Sequence, residues 1–210
     1  TFDRVCEVLT ALGYLKRDAV TATGKQLARV YSEADLLVVE CLRDGQWDTL
    51  TAAELASVVS ALVYENRRPD ESVPRVPSGA VQSALTEMTR TWSRLSAAEA
   101  DAKLAFLRKP DPGFSWAAWR WASGEPLDKV LGDDQDLTAG DFVRVCKQLL
   151  DLLAQIALVA EGSPVQKTAR AAMDALRRRA VPYRSPGPSR NRPFAGDSAR
   201  RRRGTQGGGG

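Results

Sequence analysis

The stretch LTAGDFVRVCKQLLDLL, residues 137–153, decides the fold predicted for this chain. Thr138 stands three residues before Asp141 at the start of an apolar pattern, an arrangement typical of a helix N-terminus. Apolar residues then recur at spacings of three and four, which predicts one wide buried stripe. The members of the stripe are Phe142, Val145, Cys146, Leu149, Leu152, Leu153 and Ile156. This stretch therefore predicts a long amphipathic helix.

A row of polar residues lies on the opposite side of the predicted helix. Arg144, Gln148, Asp151 and Gln155 follow one another at helical spacing, so they share one face. Such a row is ordinarily the solvated face of a helix, and the residue types by themselves favour that interpretation.

Patterns of the same kind predict helices along most of the remaining chain. The predicted helical segments are residues 2–12, a segment beginning at Gly24, 33–42, 51–66, 78–107 as one helix or two, 114–122, 127–131 and 165–179. Strand-like alternation is confined to residues 14–23, which we expect to form a short hairpin-like link. The predicted fold class is all-α, a multi-helix bundle with this link near its N-terminus.

The last thirty residues differ from the rest in composition. The chain carries a net charge of +4, but seven arginines lie in residues 180–210, so the remainder is slightly acidic. We therefore predict a helical domain over residues 1–181 and a disordered Pro/Gly/Arg-rich tail over residues 182–210. The tail arginines either contact RNA phosphates or only keep the chain soluble, and both interpretations stay open.

Several classes of active site are excluded by residue content. The chain has no histidine, and Cys6, Cys41 and Cys146 are widely spaced, which is typical of small core residues in a reducing cytosol. Gly24-Lys25 lacks the remainder of a phosphate-binding loop. No segment is apolar enough to span a membrane. We expect a fragment of a longer protein, since the chain begins at Thr1 without methionine. We also expect this fragment to be cytoplasmic and to have no active site or metal site of its own.

Two further features each allow two interpretations. Trp116, Trp119 and Trp121 form either a stacking platform for bases or an interior aromatic cluster, and an interior cluster is the commoner arrangement. Glu65 is ordinarily a surface carboxylate paired with a neighbouring arginine. The acidic residues 133–136 are expected to form a solvated turn.

Six stretches in order resemble one known family. They are FDRVCEVLTALGYL with TATGKQLA, then SEADLLVVECL, ASVVSALVYENRR, WRWASGEPLDKVL and TAGDFVRVCKQLLDLLAQIA. Together they resemble the C-terminal helical, DSHCT-type domain of superkiller and HelY-type superfamily two ATP-dependent RNA helicases, those of actinobacteria above all. The resemblance covers residues 2–181.

This resemblance implies a bundle of the ratchet-helix type, which packs against two ATPase domains and closes an RNA channel. The residues that match the family's RNA contacts are Arg144, in the GDFVR string, and Glu65, in the VYENRR string. An arginine at such a place can stack on an unpaired base and bind the edge of the base or a phosphate. Glu65 would orient this arginine or weaken its grip on phosphate. Gln148 and Lys147, one turn along, would extend the track.

The expected function is that of an RNA-gripping and coupling domain in an ATP-dependent RNA helicase for RNA processing or decay. Its expected partners are single-stranded RNA and the ATPase domains of the same protein, with no membrane contact and a monomeric state. ATP and Mg²⁺ would be bound by the parent helicase and no cofactor by this fragment. The alternative is a free-standing helical interaction module or winged-helix-like regulator without enzyme activity, which would bind through the first helix, the hairpin and the Gly24-Lys25 turn.

Overall fold

The computed structural model describes residues 2–17, 19–30, 33–66, 73–132 and 137–178. Within these ranges the helices are α1 (Phe2–Ala11), α2 (Ala22–Leu27), α3 (Asp35–Arg43), α4 (Ala52–Val63), α5 (Gly79–Asp101), α6 (Ser115–Ser123), α7 (Leu127–Gly132), α8 (Ala139–Val159) and α9 (Pro164–Arg178). A 3-10 helix, Pro112–Phe114, precedes α6. Strands β1 (Leu15–Lys16) and β2 (Ala19–Val20) pair antiparallel, with Leu15 opposite Val20. The predicted all-α fold and its hairpin-like link are confirmed.

Helix α8 has the N-terminus and the buried stripe that its sequence predicts. The Thr138 hydroxyl accepts a hydrogen bond from the Asp141 amide at 3.1 Å and donates one to the Asp141 carboxylate at 2.8 Å. The stripe residues are buried except Cys146, which is partly buried. Helix α9 packs beside α8, and the Gln166 amide donates to the Ala157 carbonyl at 3.0 Å, as expected for antiparallel neighbours.

Helix α4 lies at the centre of the fold. Every residue from Leu55 to Leu62 is buried, and the helix packs against α5, α6, α8 and α9. Its first turn is closed by a capping box, in which Thr51 and Glu54 bond reciprocally. The prediction that this helix reaches Asn66 is wrong, because Tyr64 adopts an extended conformation with ψ 147° and ends the helix at Val63.

Helices α4 and α6 approach closely because small residues line their contact. The Ser57 hydroxyl donates to the Ser115 carbonyl at 2.8 Å, and the Ser115 hydroxyl donates to the Ser57 carbonyl at 3.0 Å. All these atoms belong to fully buried residues, so the reciprocal pair satisfies polar groups that burial would otherwise penalise. Gly124, with φ 102°, ends α6 in the left-handed region that favours glycine.

The segment predicted as one helix or two over residues 78–107 is a single helix that ends early. Ser78 caps α5, and Lys103, with φ 57°, turns the chain out of the helix. The expectation of helix at Leu104 and Leu107 is therefore wrong. Residues 103–110, here called the strap, run without regular structure along the molecule to Pro110.

The strap is held by a buried carboxylate of α5. Glu99 accepts hydrogen bonds from the backbone amides of Phe106 and Leu107, each at 3.0 Å. The Trp92 indole donates to the Leu107 carbonyl at 3.3 Å. These side-chain bonds replace the helical backbone bonds that the segment would otherwise make, which explains why the apolar spacing of Leu104 and Leu107 does not produce another helical turn.

The N-terminal part of the chain follows the predicted order with small shifts of boundary. Helix α2 begins at Ala22 because the Thr21 hydroxyl accepts from the Gly24 amide at 3.1 Å. A side chain at Gly24 would collide with the Tyr14 carbonyl, so glycine permits the close backbone packing at this position.

Some predictions fall on parts of the chain that the structure does not describe. The acidic turn predicted at 133–136 and the tail predicted at 182–210 both lie outside the described residues. Among the described helices, none is both long enough and apolar enough to cross a membrane.

Candidate functional site

The exposed face of α8 carries Arg144 and Gln148 one turn apart. Both side chains are exposed while Val145 and Leu149, the residues after them, are fully buried. The Arg144 guanidinium lies 3.3 Å from the Asp141 carboxylate, and 45% of its side chain is exposed. An exposed pair of this kind is worth little free energy, so Arg144 can exchange Asp141 for another partner.

The C-terminal end of α4 faces this part of α8 and is fixed by the strap. Arg108 donates to the Tyr64 carbonyl at 2.9 Å and to the Leu62 carbonyl at 3.0 Å, so it satisfies backbone acceptors that the helix end leaves open. The Asp111 amide donates to the Ala61 carbonyl at 2.8 Å. The end of α4 therefore has a defined position, although Tyr64 and the next residues are not helical.

Glu65 is held at the same end of α4. Its carboxylate lies 3.3 Å from the Arg108 guanidinium, and the following residue, Asn66, donates its amide to Asp111 at 2.7 Å. Glu65 was expected to pair with a neighbouring arginine, and its partner in the described part of the chain is Arg108, far away in sequence. Because 74% of the Glu65 side chain is exposed, the carboxylate remains accessible to a ligand.

An open cleft of about 200 Å³ lies between these elements. It is lined by Glu33, Val63, Glu65, Arg108, Arg144 and Gln148. The cleft brings α8, the end of α4, the strap and the segment that leads into α3 to one place. Two guanidinium groups and two carboxylates face it, so it has no strong net charge.

Three of the four predicted site residues meet in this cleft. Arg144 and Gln148 enter from α8 and Glu65 from the end of α4, whereas Lys147 is exposed on α8 without lining the cleft. Arg108 was missed by the sequence analysis. No local signal marks it, because its role depends on the strap folding back against α4.

The tryptophans divide between the two interpretations. Trp121 is buried, and its indole donates to the Leu176 carbonyl at 3.1 Å. Trp116 and Trp119 are half-buried and stack on each other with centroids 5.4 Å apart, and the Arg75 guanidinium lies 4.3 Å from the Trp116 ring centre. The interior interpretation is therefore right for Trp121, while Trp116 and Trp119 form a partly exposed stack already covered by an arginine.

In the ranges that the structure describes, no group of histidine, cysteine, aspartate and glutamate side chains is placed to hold a metal ion. The three cysteines are free thiols, and burial raises the pKa of Cys41 far above its ordinary value, which keeps it protonated. The arrangement is suited to binding: planar cations and an amide can contact bases and phosphates.

Comparison with known proteins places the chain in a family. The profile of the DSHCT (NUC185) domain matches residues 17–184. The probable helicase HelY of Mycobacterium tuberculosis (strain ATCC 25618 / H37Rv) is 42% identical over 195 residues, which cover 86% of this chain and 22% of that protein. The DExH-box ATP-dependent RNA helicase DExH9 of Arabidopsis thaliana is 25% identical over 161 residues, 74% of this chain and 16% of that protein.

The exosome RNA helicase MTR4 of Homo sapiens is 24% identical over 163 residues, 74% of this chain and 15% of that protein. The chain thus spans less than a quarter of the length of the curated relatives it matches. Because the family profile covers most of its residues and the described elements form a helical bundle throughout, the chain belongs to the DSHCT (NUC185) domain family.

Proposed function

We propose that this chain is the RNA-gripping and coupling domain of an ATP-dependent RNA helicase that unwinds or remodels RNA for processing or decay. Relatives named as helicases, of which the chain matches only a fraction, support this proposal. The ATPase domains, with their ATP and Mg²⁺, would belong to the remainder of a longer protein. The single observation that carries the proposal is the cleft in which Arg144 and Gln148 of α8 meet Glu65 and Arg108.

Arg144 is the residue that we expect to grip the strand. Its guanidinium is exposed and bonded to the partly exposed carboxylate of Asp141 one turn back, so a nucleotide can replace Asp141 at little cost. A planar guanidinium stacks on an unpaired base and donates to its edge or to a phosphate. Gln148, one turn further along, adds an amide that both donates and accepts.

The two carboxylates of the cleft keep this grip weak. Glu65 and Glu33 face the same space as the two arginines, so a phosphate entering the cleft is attracted and repelled by neighbouring groups. A strand that must advance with each ATP hydrolysed needs contacts that form and break. Glu65 also holds Arg108, which directs one cation of the cleft toward the end of α4.

Coupling follows from how α8 is supported. Its apolar stripe is buried along the whole helix against α4 and α9, so the face that carries Arg144 moves as one body with the core. A movement of the ATPase domains against this bundle would therefore displace the gripping residues as a unit.

The test is RNA binding by chains ending at residue 181, which removes the tail arginines. Arg144→Ala should weaken binding of single-stranded RNA by about tenfold, the loss of one charge-assisted hydrogen bond of about 1.4 kcal/mol. Arg144→Lys should recover only part of it, since an ammonium keeps the charge but not the planar fork. Fluorescence anisotropy across a salt series, with duplex RNA in parallel, measures the effect.

Arg90→Ala is the matched control, because Arg90 is an exposed arginine of α5 that does not line the cleft. We expect this variant to bind like the unchanged chain. If Arg144→Ala and Arg90→Ala behave alike, or if binding disappears entirely with the tail, the assignment of the cleft as the RNA contact is wrong.

A further inference from the structure

The strap presents an aromatic side chain to solvent beside the cleft. Phe106 is 60% exposed, whereas Leu107, the next residue, is packed against the core. The exposed part of this apolar surface contributes nothing to folding. Its position on a fixed segment, and not on a chain terminus, indicates a use other than stability.

The backbone around Phe106 is held firmly. Both its own amide and that of Leu107 donate to Glu99, whose side chain is almost fully buried. On the other side of Phe106, Arg108 is anchored to two carbonyls at the end of α4. The ring is therefore presented from a backbone clamped at both sides, which lowers the entropy lost when a ligand binds it.

Phe106 is also close to the cleft in the chain, on a segment whose charged residues are all basic. A single residue, Leu107, separates it from Arg108, a cleft-lining residue, so the two Cα atoms are at most about 7 Å apart. Lys103, Arg108 and Lys109 are the charged residues of the strap, and none of residues 103–110 is acidic. The Lys109 ammonium lies 5.9 Å from the centre of the Trp92 ring, a cation–π contact that holds this cation against α5.

From this arrangement we propose that Phe106 is a base-stacking residue, which receives an unpaired base of a single-stranded RNA whose neighbouring nucleotide occupies the cleft. An exposed aromatic ring on a segment with three cations and no carboxylate is complementary to a base with its phosphates, and stacking is tolerant of base identity. An apolar protein surface would gain nothing from the three cations. The inference rests on the proposed function, since it extends the RNA path from the cleft onto the strap.

The experiment uses the full chain and compares a single-stranded RNA oligonucleotide with an abasic oligonucleotide of equal length. The two probes carry the same phosphates, so contacts of the basic tail with phosphate contribute equally to both. The unchanged chain should prefer the base-bearing probe. Phe106→Ala should weaken binding of that probe by about fivefold or more and leave the abasic probe unaffected.

Variants at the same position separate stacking from apolar contact. Phe106→Trp should keep the preference for bases, and Phe106→Leu, which is apolar but not aromatic, should lose it. Phe2→Ala is the matched control, because Phe2 is a phenyl with 79% exposure that lies on α1 and not on the strap. Unchanged circular dichroism and Tm are expected for every variant, since the rings are exposed.

The outcomes distinguish this inference from the proposed function. If Arg144→Ala weakens binding of the base-bearing probe and Phe106→Ala does not, the stacking role is overturned and the cleft assignment stands. If neither variant changes binding, both are overturned. The stacking role alone is also overturned if the unchanged chain binds base-bearing and abasic RNA equally, or if Phe106→Leu binds like Phe106→Trp.

Discussion

At the scale of single residues, the buried carboxylate of Glu40 joins three parts of the molecule. It accepts hydrogen bonds from Tyr14, which precedes β1, from Arg43 of α3 at 2.6 Å and from Arg94 of α5 at 2.8 Å. Burial by itself raises the pKa of Glu40, but the hydrogen bonds from Tyr14 and Arg94 and the charge of Arg43 outweigh it, so its pKa lies below the ordinary value. The ionised form is therefore the one that the fold stabilises.

This gives an expected dependence of stability on pH. Because the folded-state pKa is below the unfolded value of about 4.5, the contribution of Glu40 is complete above that pH and is lost as the pH falls through the lower, folded-state pKa. Glu40→Gln should lower the free energy of unfolding by about 1–3 kcal/mol at pH 7, because buried bonds to a charge are weakened. Urea unfolding at pH 7 and under acid conditions measures both chains. The difference between them should shrink in acid, and a constant difference would contradict the assignment.

At the scale of elements, the residues that cap the start of α8 also contact the arginine that lines the cleft. The bonds between Thr138 and Asp141 close the first turn, and Asp141 is also the partner of Arg144. The N-terminal cap therefore supports the turn of helix that presents the cleft arginine.

Replacing Thr138, the N-cap residue of α8, should lower the free energy of unfolding. Thr138→Ala removes the hydroxyl that accepts from the Asp141 amide and should lower the free energy of unfolding by about 1 kcal/mol. Thr138→Ser retains the oxygen and should differ from the unchanged chain by much less. Thermal and urea unfolding provide the comparison. Equal losses for alanine and serine would show that the methyl group, and not the cap, matters here.

Other elements show why local patterns fail at particular positions. The apolar spacing through Leu104 and Leu107 is helical, yet Glu99 takes the amides of Phe106 and Leu107 and Lys103 turns the chain away. At the end of α4, Arg108 binds the Leu62 and Tyr64 carbonyls. In both places a tertiary hydrogen bond overrides the spacing, and such a bond has no trace in a window of neighbouring residues.

At the scale of the whole molecule, α9 completes the core around α4. Val165, Ala169, Ala172 and Leu176 are buried, and the helix packs against α4, α6 and α8. The hydrogen bond from the Trp121 indole to the Leu176 carbonyl also depends on α9. The core described here therefore requires the chain at least to the end of this helix.

Two truncations should separate the core from the tail. A chain that ends at residue 163 loses α9, exposes apolar surface of α4 and α8, and should no longer unfold cooperatively. A chain that ends at residue 181 keeps α9 and should have the Tm of the full chain. Calorimetry and circular dichroism measure both. A Tm several degrees lower for the chain ending at residue 181 would show that residues 182–210 take part in the fold.

The sequence by itself determined the helical class, the capped start of α8, the capping box of α4 and the hairpin, because these depend on residues within about four positions of one another. It also indicated Arg144, Gln148 and Glu65, through a face of α8 and a family motif. Only the tertiary structure decided that these residues line one cleft with Arg108 while Lys147 does not, and that the strap leaves Phe106 exposed. The physical reason is that the cleft depends on packing among α4, α8 and the strap, whose contacts join residues far apart in the chain.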